Sequence, residues 1–151
     1  HQSNYSSVRF GNVLGSRGSL IPTVSHLIKS GGTVKVTHPD VTRFFMTIPE
    51  ACQLVLQSAS MARGQDIFLL EMGEPVKILE LVQKMVNRSG KETKVEFTGL
   101  RPGEKLHEEL FSKHEKLEQS DHPLIYRIMA SPLDPKDLDY HKIGTLRVDG
   151  V

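Results

Sequence analysis

Ile67-Phe68-Leu69-Leu70 places four apolar residues in a row with no polar interruption. A strand with one wet face alternates apolar and polar residues. A strand without alternation is buried on both faces, as in a parallel sheet covered by helices. On its upstream side, Thr47-x-x-Glu50 is a capping-box signature with Pro49 just inside the helix it opens. Ala51, Leu54, Val55, Ser58 and Ala59 carry the helical period, Cys52 reads as a small apolar core residue, and Gly64 closes the element. On its downstream side, Gly73-Glu74-Pro75 breaks the chain before Ile78, Leu81, Val82, Met85 and Val86, a second helix ended by Ser89-Gly90.

The same alternation continues outward. Tyr5 to Leu14 reads as one strand, and Gly11, Gly15 and Gly18 form a glycine-rich loop whose backbone N–H groups could approach phosphate. A flexible strand-to-helix connection is the alternative reading, because the spacing is not G-x-G-x-x-G. Ser19 suits an N-cap, and Leu20, Val24, Leu27 and Ile28 share a helical face that ends at Gly31-Gly32. Val34 to Thr37 and Arg43 to Ile48 read as strands, with His38-Pro39-Asp40 turning the chain between them. Past the second helix, Lys94 to Phe97 is a short strand. Leu106, Leu110 and Phe111 suggest a helix of two to three turns, and Lys113 to Glu118 a solvated helix end. Leu124 to Met129 fits one more strand, and the prolines and charges from Ser131 onward suggest a loose tail. Strands alternate with helices throughout, so the class is α/β or mixed α+β.

Composition bounds the function. The 151 residues are one domain's worth of chain, and 38% hydrophobic with 25% charged residues is ordinary for a globular protein. A net charge of +1 gives no electrostatic claim on nucleic acid or anionic membrane. The single Cys52 excludes an internal disulfide and a cysteine-based zinc site. No apolar run approaches the roughly 20 residues of a membrane span. The seven histidines show no metal-ligand spacing. The chain starts at His1 without a methionine, so it is expected to be a piece of something longer.

The chemistry concentrates in Leu100-Arg101-Pro102-Gly103-Glu104-Lys105-Leu106-His107-Glu108-Glu109. A guanidinium matches phosphate oxygens bidentately, a carboxylate accepts from vicinal hydroxyls, and Pro-Gly makes the turn that projects both from one loop. A ligand with phosphate at one end and sugar at the other would satisfy the pair. A surface turn with a solvated Arg–Glu pair is the plainer alternative. Glu108 and Glu109, being adjacent, are poorly placed as a working carboxylate pair if the segment is helical.

Three stretches coincide in order and spacing with a known family: Val8-Arg9-Phe10-Gly11-Asn12-Val13-Leu14-Gly15-Ser16, Val41-Thr42-Arg43-Phe44-Phe45-Met46-Thr47, and Gly99-Leu100-Arg101-Pro102-Gly103-Glu104-Lys105-Leu106. Together they resemble the C-terminal half of the capsule-type polysaccharide biosynthesis enzymes. These are extended short-chain dehydrogenase/reductases acting as UDP-N-acetylglucosamine 4,6-dehydratases, and the resemblance covers residues 5 to 115. It implies an NAD(P)-binding Rossmann-like α/β fold of which this chain is mainly the small substrate-binding lobe, with the N-terminal cofactor domain absent. Residues 1–18 would be the last part of the sheet with the cofactor/substrate loop, 19–115 the UDP-sugar lobe, and 116–151 a loosely ordered C-terminal extension.

The resemblance also implies roles. Asn12 would hold substrate, and Val13, Leu14, Gly15, Ser16 and Arg17 would line the NADP or NAD cofactor. Ile28 would pack near the nucleotide, and Thr37 would meet the uracil through its backbone. Arg43 and Arg101 would clamp the diphosphate, and Glu104 would take the ribose hydroxyls. In the family reaction hydride leaves C4 of the sugar, water is lost across C5 and C6, and hydride returns to C6. The Tyr-x-x-x-Lys pair expected of such enzymes has no counterpart here: Tyr5, Tyr126 and Tyr140 are followed four residues on by Arg9, Ala130 and Gly144. No catalytic residue is therefore assigned, and the chain alone is expected to be inactive. The implied setting is cytoplasmic surface-polysaccharide synthesis, with a UDP-sugar as partner and a homo-oligomer when full length. A nucleotide-sugar epimerase of the same superfamily is the nearest alternative. A non-catalytic nucleotide-binding or interaction module is the more distant one.

Overall fold

The structure is a computed structural model and describes residues 5–130. Its centre is the apolar run: strand β6 (Ile67–Leu70) lies between β1 (Ser7–Arg9), which it pairs in parallel, and β10 (Ile125–Met129), which it pairs antiparallel. Phe68 is 0% exposed, as a strand covered on both faces requires. Strand β9 (Lys116–Gln119) completes the sheet on the far side of β10, giving the order β1-β6-β10-β9. Three two-stranded ladders carry the rest. β2 (Asn12–Leu14) pairs β5 (Phe45–Thr47) in parallel, β3 (Val34–Val36) pairs β8 (Val95–Phe97) in parallel, and β4 (Thr42–Arg43) pairs β7 (Val76–Lys77) antiparallel.

Three helices supply two cores. Helices α1 (Leu20–Ser30) and α3 (Ile78–Ser89) pack Val24, Ile28, Ile78 and Val82 against Val34, Val36 and Val41. Helix α2 (Ile48–Met61) packs Ala51 and Leu54 against Met46, Phe68, Leu70, Met72 and Ile125. The Thr47–Glu50 capping box forms in full: Thr47 N donates to Glu50 Oε2 at 2.7 Å, and Glu50 N donates to Thr47 Oγ1 at 3.4 Å. Gly31 and Gly90 end α1 and α3 in the left-handed conformation that favours glycine.

Several sequence expectations are corrected. The strand expected over Tyr5 to Leu14 is two strands in different sheets, because the chain breaks at Gly11. A Cβ there would lie 2.8 Å from Phe44 Cβ and 3.0 Å from Phe44 O, so only glycine allows this approach. The run Arg43 to Ile48 likewise splits at Phe44, whose carbonyl accepts from Asn12 N at 2.9 Å. No helix forms over Leu106 to Phe111. The Leu106 carbonyl is instead taken by Thr42 N at 3.1 Å, and Thr42 forms a parallel bridge with His107. Lys113 to Glu118 is not a helix end, since Lys116–Gln119 is β9, paired to β10 with Leu117 opposite Ile128. The loose tail expected from residue 116 instead carries two paired strands, β9 and β10, up to Met129, and the rest of that expectation, 131–151, lies outside the described residues. Helix α2 ends at Met61, three residues before Gly64. Cys52 is exposed, on the side of α2 away from Ala51, Leu54 and Ser58.

Candidate functional site

The parallel pairing of β1 and β6 sends both carboxyl ends to one edge, where open α/β sheets bind ligands. From that edge the chain crosses into the second lobe through β2 and α1. Strand β3 buries Val34 and Val36 and turns Lys35 outward, so Thr37 emerges at its end, half-buried. Strand β4 presents Arg43, and the loop after β8 brings in Glu104. Gly103 has φ +80, Pro102 precedes it, and Glu104 N donates to Arg101 O at 2.9 Å; this is a type II turn.

Glu104 is the hub of the groove these segments enclose. Its Oε1 accepts from Arg43 Nη2 at 3.0 Å and from Thr37 Oγ1 at 3.0 Å, and its Oε2 accepts from Arg101 N at 3.2 Å. The backbone N–H of Arg101, then the Thr37 hydroxyl and the Arg43 and Arg101 charges, hold the carboxyl below its ordinary range against the opposing effect of burial. Arg43 spends Nη1 on two carbonyls, Thr42 O at 2.7 Å and Leu106 O at 3.3 Å. The segment from Glu104 to His107 is thus fastened to β4, and Thr42 Oγ1 meets His107 Nδ1 at 2.9 Å to close it.

This arrangement leaves a countable set of groups free. A carboxylate offers about four lone-pair sites. Glu104 has three donors, so one site remains, on Oε2. A guanidinium has five N–H groups, and Arg43 keeps its Nε–H and one Nη2–H. The exposed Arg101 guanidinium makes no hydrogen bond or ion pair among the described residues, so all its donors are free.

The expected site residues are brought together unevenly. Asn12, Thr37, Arg43 and Glu104 line one groove of 210 Å³, together with Lys35 and Leu20. Asn12 and Leu20 also border an adjoining pocket of 270 Å³ lined by Val13, Ser16, Ser19 and Phe45. The pair is of the order of ligand sites, roughly 300–1,000 Å³. Arg101 sits at the rim through its backbone bond to Glu104. Leu14 is held in β2 opposite Thr47, and Gly15 and Arg17 lie on the exposed turn that follows. Ile28 does not reach the groove; it is 4% exposed, inside the core of the second lobe.

Two features escaped the sequence. Ser19 stands at the N-cap position of α1 but makes no capping bond, and its Oγ is buried without a partner. The unmade cap leaves a hydroxyl in the wall of the 270 Å³ pocket. A larger cavity of 540 Å³, lined among others by Phe44, Met72, Glu108, Leu110 and Tyr126, contains none of the expected site residues. Glu71 beside Tyr126 pushes that phenol's pKa up.

Comparison with known proteins gives one consistent result. The family described as "Polysaccharide biosynthesis protein" matches residues 1–130. The capsular polysaccharide biosynthesis protein CapD of Staphylococcus aureus is 53% identical over 129 residues, covering 83% of this chain and 22% of that protein. Among solved structures, Pen from Bacillus thuringiensis is 35% identical with a TM-score of 0.75, covering 83% of this chain and 40% of that one. The dTDP-glucose 4,6-dehydratase DesIV from Streptomyces venezuelae, solved with NAD bound, is 20% identical with a TM-score of 0.62, covering 70% and 34%, and shares the fold. The fold is the Rossmann-like α/β fold of that dehydratase over part of its length. The chain spans well under half the length of the curated relatives it matches, 22%, 21% and 35% of the first three.

Proposed function

This chain belongs to the polysaccharide biosynthesis protein family, and from that premise we propose that it carries the nucleotide-sugar-binding part of an extended short-chain dehydrogenase/reductase. The whole enzyme is a dehydratase of the UDP-N-acetylglucosamine 4,6 type, working in the cytoplasm as a homo-oligomer in surface-polysaccharide synthesis. The observation that carries the reading is the Thr37–Arg43–Glu104–Arg101 network, which sets cationic donors and one free carboxylate lone pair along a single groove.

The free groups decide how a nucleoside diphosphate is held. Arg101, with all its donors available, takes the diphosphate bidentately. Arg43 adds its two remaining N–H groups while its charge is already balanced by Glu104 at 3.0 Å. Glu104 accepts one ribose hydroxyl on Oε2 rather than a vicinal pair. Thr37 offers the base its backbone, because its hydroxyl is spent on Glu104. Asn12, shared by the two pockets, stands between nucleotide and cofactor and holds the sugar. Ile28 supports the groove from the core behind it.

A nicotinamide dinucleotide suits the residues that follow. The Gly15 backbone, at φ +76, has nothing within 4 Å of where a Cβ would stand, and the buried Ser19 hydroxyl lacks a partner. Val13 to Arg17 would line NADP or NAD, which when bound supplies hydride removal and return. This chain's residues orient and hold; none is assigned a proton-transfer role. The domain assignment follows: 1–18 would end the sheet and carry the loop, 19–115 would bind the nucleotide-sugar, and 116–151 would be a C-terminal extension, whose described part adds β9 and β10 to the sheet.

Calorimetric titration with UDP, UMP and uridine tests the reading. Affinity should rise with each phosphate, and Arg101→Ala should remove at least tenfold of the UDP affinity. Equal affinity for UDP and uridine would overturn the diphosphate assignment.

A further inference from the structure

The groove around Glu104 has five polar residues in its lining: Asn12, Lys35, Thr37, Arg43 and Glu104. Four of them have work when a nucleotide is held. Arg43 meets the diphosphate and Glu104 the ribose, Thr37 gives its hydroxyl to Glu104 Oε1 at 3.0 Å, and Asn12 stands at the boundary with the adjoining pocket. Lys35 is left over. It makes no hydrogen bond or ion pair among the described residues. Its cross-strand neighbour in the β3–β8 ladder is Glu96, and that carboxylate is already held by Lys94 at 2.6 Å. The ammonium of Lys35 therefore brings three unused donors to the groove.

The place of Lys35 follows from the strand that carries it. Strand β3 buries Val34 and Val36, so Lys35 and Thr37 stand together on its groove side. Residues two apart on a strand are separated by about 6.6 Å, a span comparable to that from a ribose hydroxyl to the far edge of its pyrimidine. Hydrogen bonds run from Arg101 through Glu104 to Thr37, and Lys35 continues this order along β3. With phosphates at Arg101 and ribose at Glu104, the base comes to lie at the Lys35 end. Leu20, Val36, Val41 and Ile78 give the groove its apolar lining, against which a flat ring can rest.

We propose that Lys35 is a specificity-determining residue of this groove. Its ammonium donates to the 4-oxo group of a pyrimidine base and so selects uracil or thymine nucleotides over cytosine nucleotides. This assignment rests on the nucleotide-binding reading and names the base end of that site. An ammonium can only donate. The O4 of uracil and thymine accepts, whereas the amino group in the same position of cytosine donates. A cytosine nucleotide thus leaves Lys35 without an acceptor and sets two donors against each other. Because Lys35 is exposed, the selectivity belongs at the low end for a charge-assisted hydrogen bond, about tenfold.

Calorimetric titration of UDP and CDP into wild type, Lys35→Met and Lys35→Arg tests this. Met keeps an unbranched stem on β3 and removes the donors, Arg keeps donors, and thermal melts check that both variants fold. Wild type should bind UDP about tenfold tighter than CDP. Lys35→Met should lose about tenfold of the UDP affinity and none of the CDP affinity, and Lys35→Arg should retain a preference for UDP. Equal affinity of wild type for the two nucleotides would refute the role of Lys35 while the nucleotide reading stands. So would a loss in Lys35→Met that falls equally on UDP and CDP, which marks a phosphate or ribose contact. Unchanged UDP affinity in a folded Lys35→Met would show a solvated surface lysine and refute it too. Wild type that binds neither nucleotide would overturn both readings.

Discussion

Glu104→Gln removes one charge and almost no volume from the hub of the groove. The carboxylate accepts three hydrogen bonds, from Arg43, Thr37 and the Arg101 backbone, at 3.0, 3.0 and 3.2 Å. Charge-assisted hydrogen bonds contribute about 1.5–3 kcal/mol against about 0.5–1.5 for neutral ones, a difference of about 1 kcal/mol per bond. The side chains of Arg43 and Glu104 are 17% and 22% exposed, so solvent screens part of this. A loss of about 2 kcal/mol remains, which lowers the melting temperature of a chain this size by about 4–8 °C. Thermal melts by far-UV circular dichroism read it directly. Thr37→Val in the Glu104→Gln background should then cost less than in the wild type, because the two share one bond. A shift below about 1 °C, or full additivity of the pair, would show that Glu104 is a solvated surface carboxylate and that the hub does not exist.

Other consequences follow from the same contacts. Because the folded-state pKa of Glu104 is depressed, its contribution is complete above the ordinary carboxylate value of 4.5 and is lost as pH falls below it. The stability gap between wild type and Glu104→Gln should be constant from neutral pH down to about 5 and close at lower pH; a gap that opens on acidification would contradict the sign. Gly11→Ala should cost about 1–3 kcal/mol, since its methyl meets Phe44 Cβ at 2.8 Å, and a neutral urea midpoint would refute the close approach. Phe68→Ala should cost about 3–5 kcal/mol by emptying the centre of the sheet and removing the ring under the Arg127 guanidinium, 5.5 Å from its centroid.

What the sequence disclosed was what local chemistry controls. The unbroken apolar run at Ile67 announced a doubly covered strand, Thr47-x-x-Glu50 announced a helix start, and Pro102-Gly103 announced the turn that delivers Glu104. What it concealed depends on distant partners. The break at Gly11 comes from Phe44, 33 residues away, and nothing near Gly11 encodes it. Leu106, Leu110 and Phe111 have helical spacing, yet Thr42 and Arg43 claim the Leu106 carbonyl first. Lys116–Gln119 looked like a solvated charge run because an edge strand needs only one apolar contact, here Leu117 opposite Ile128. Ile28 lay on a face that core and ligand could equally have claimed, and the core took it. The cavity around Glu108 draws its walls from five separate stretches of chain, so no local pattern could reveal it.

The central claim, that the groove under Arg101 and Glu104 holds a nucleoside diphosphate, is tested most directly by mapping UDP onto the amide resonances of the intact chain. Saturable shifts should cluster at Thr37, Arg43 and Arg101 to Glu104, and fade in Arg101→Ala. Shifts scattered over the surface, or none from a chain whose dispersed spectrum shows it is folded, would contradict it.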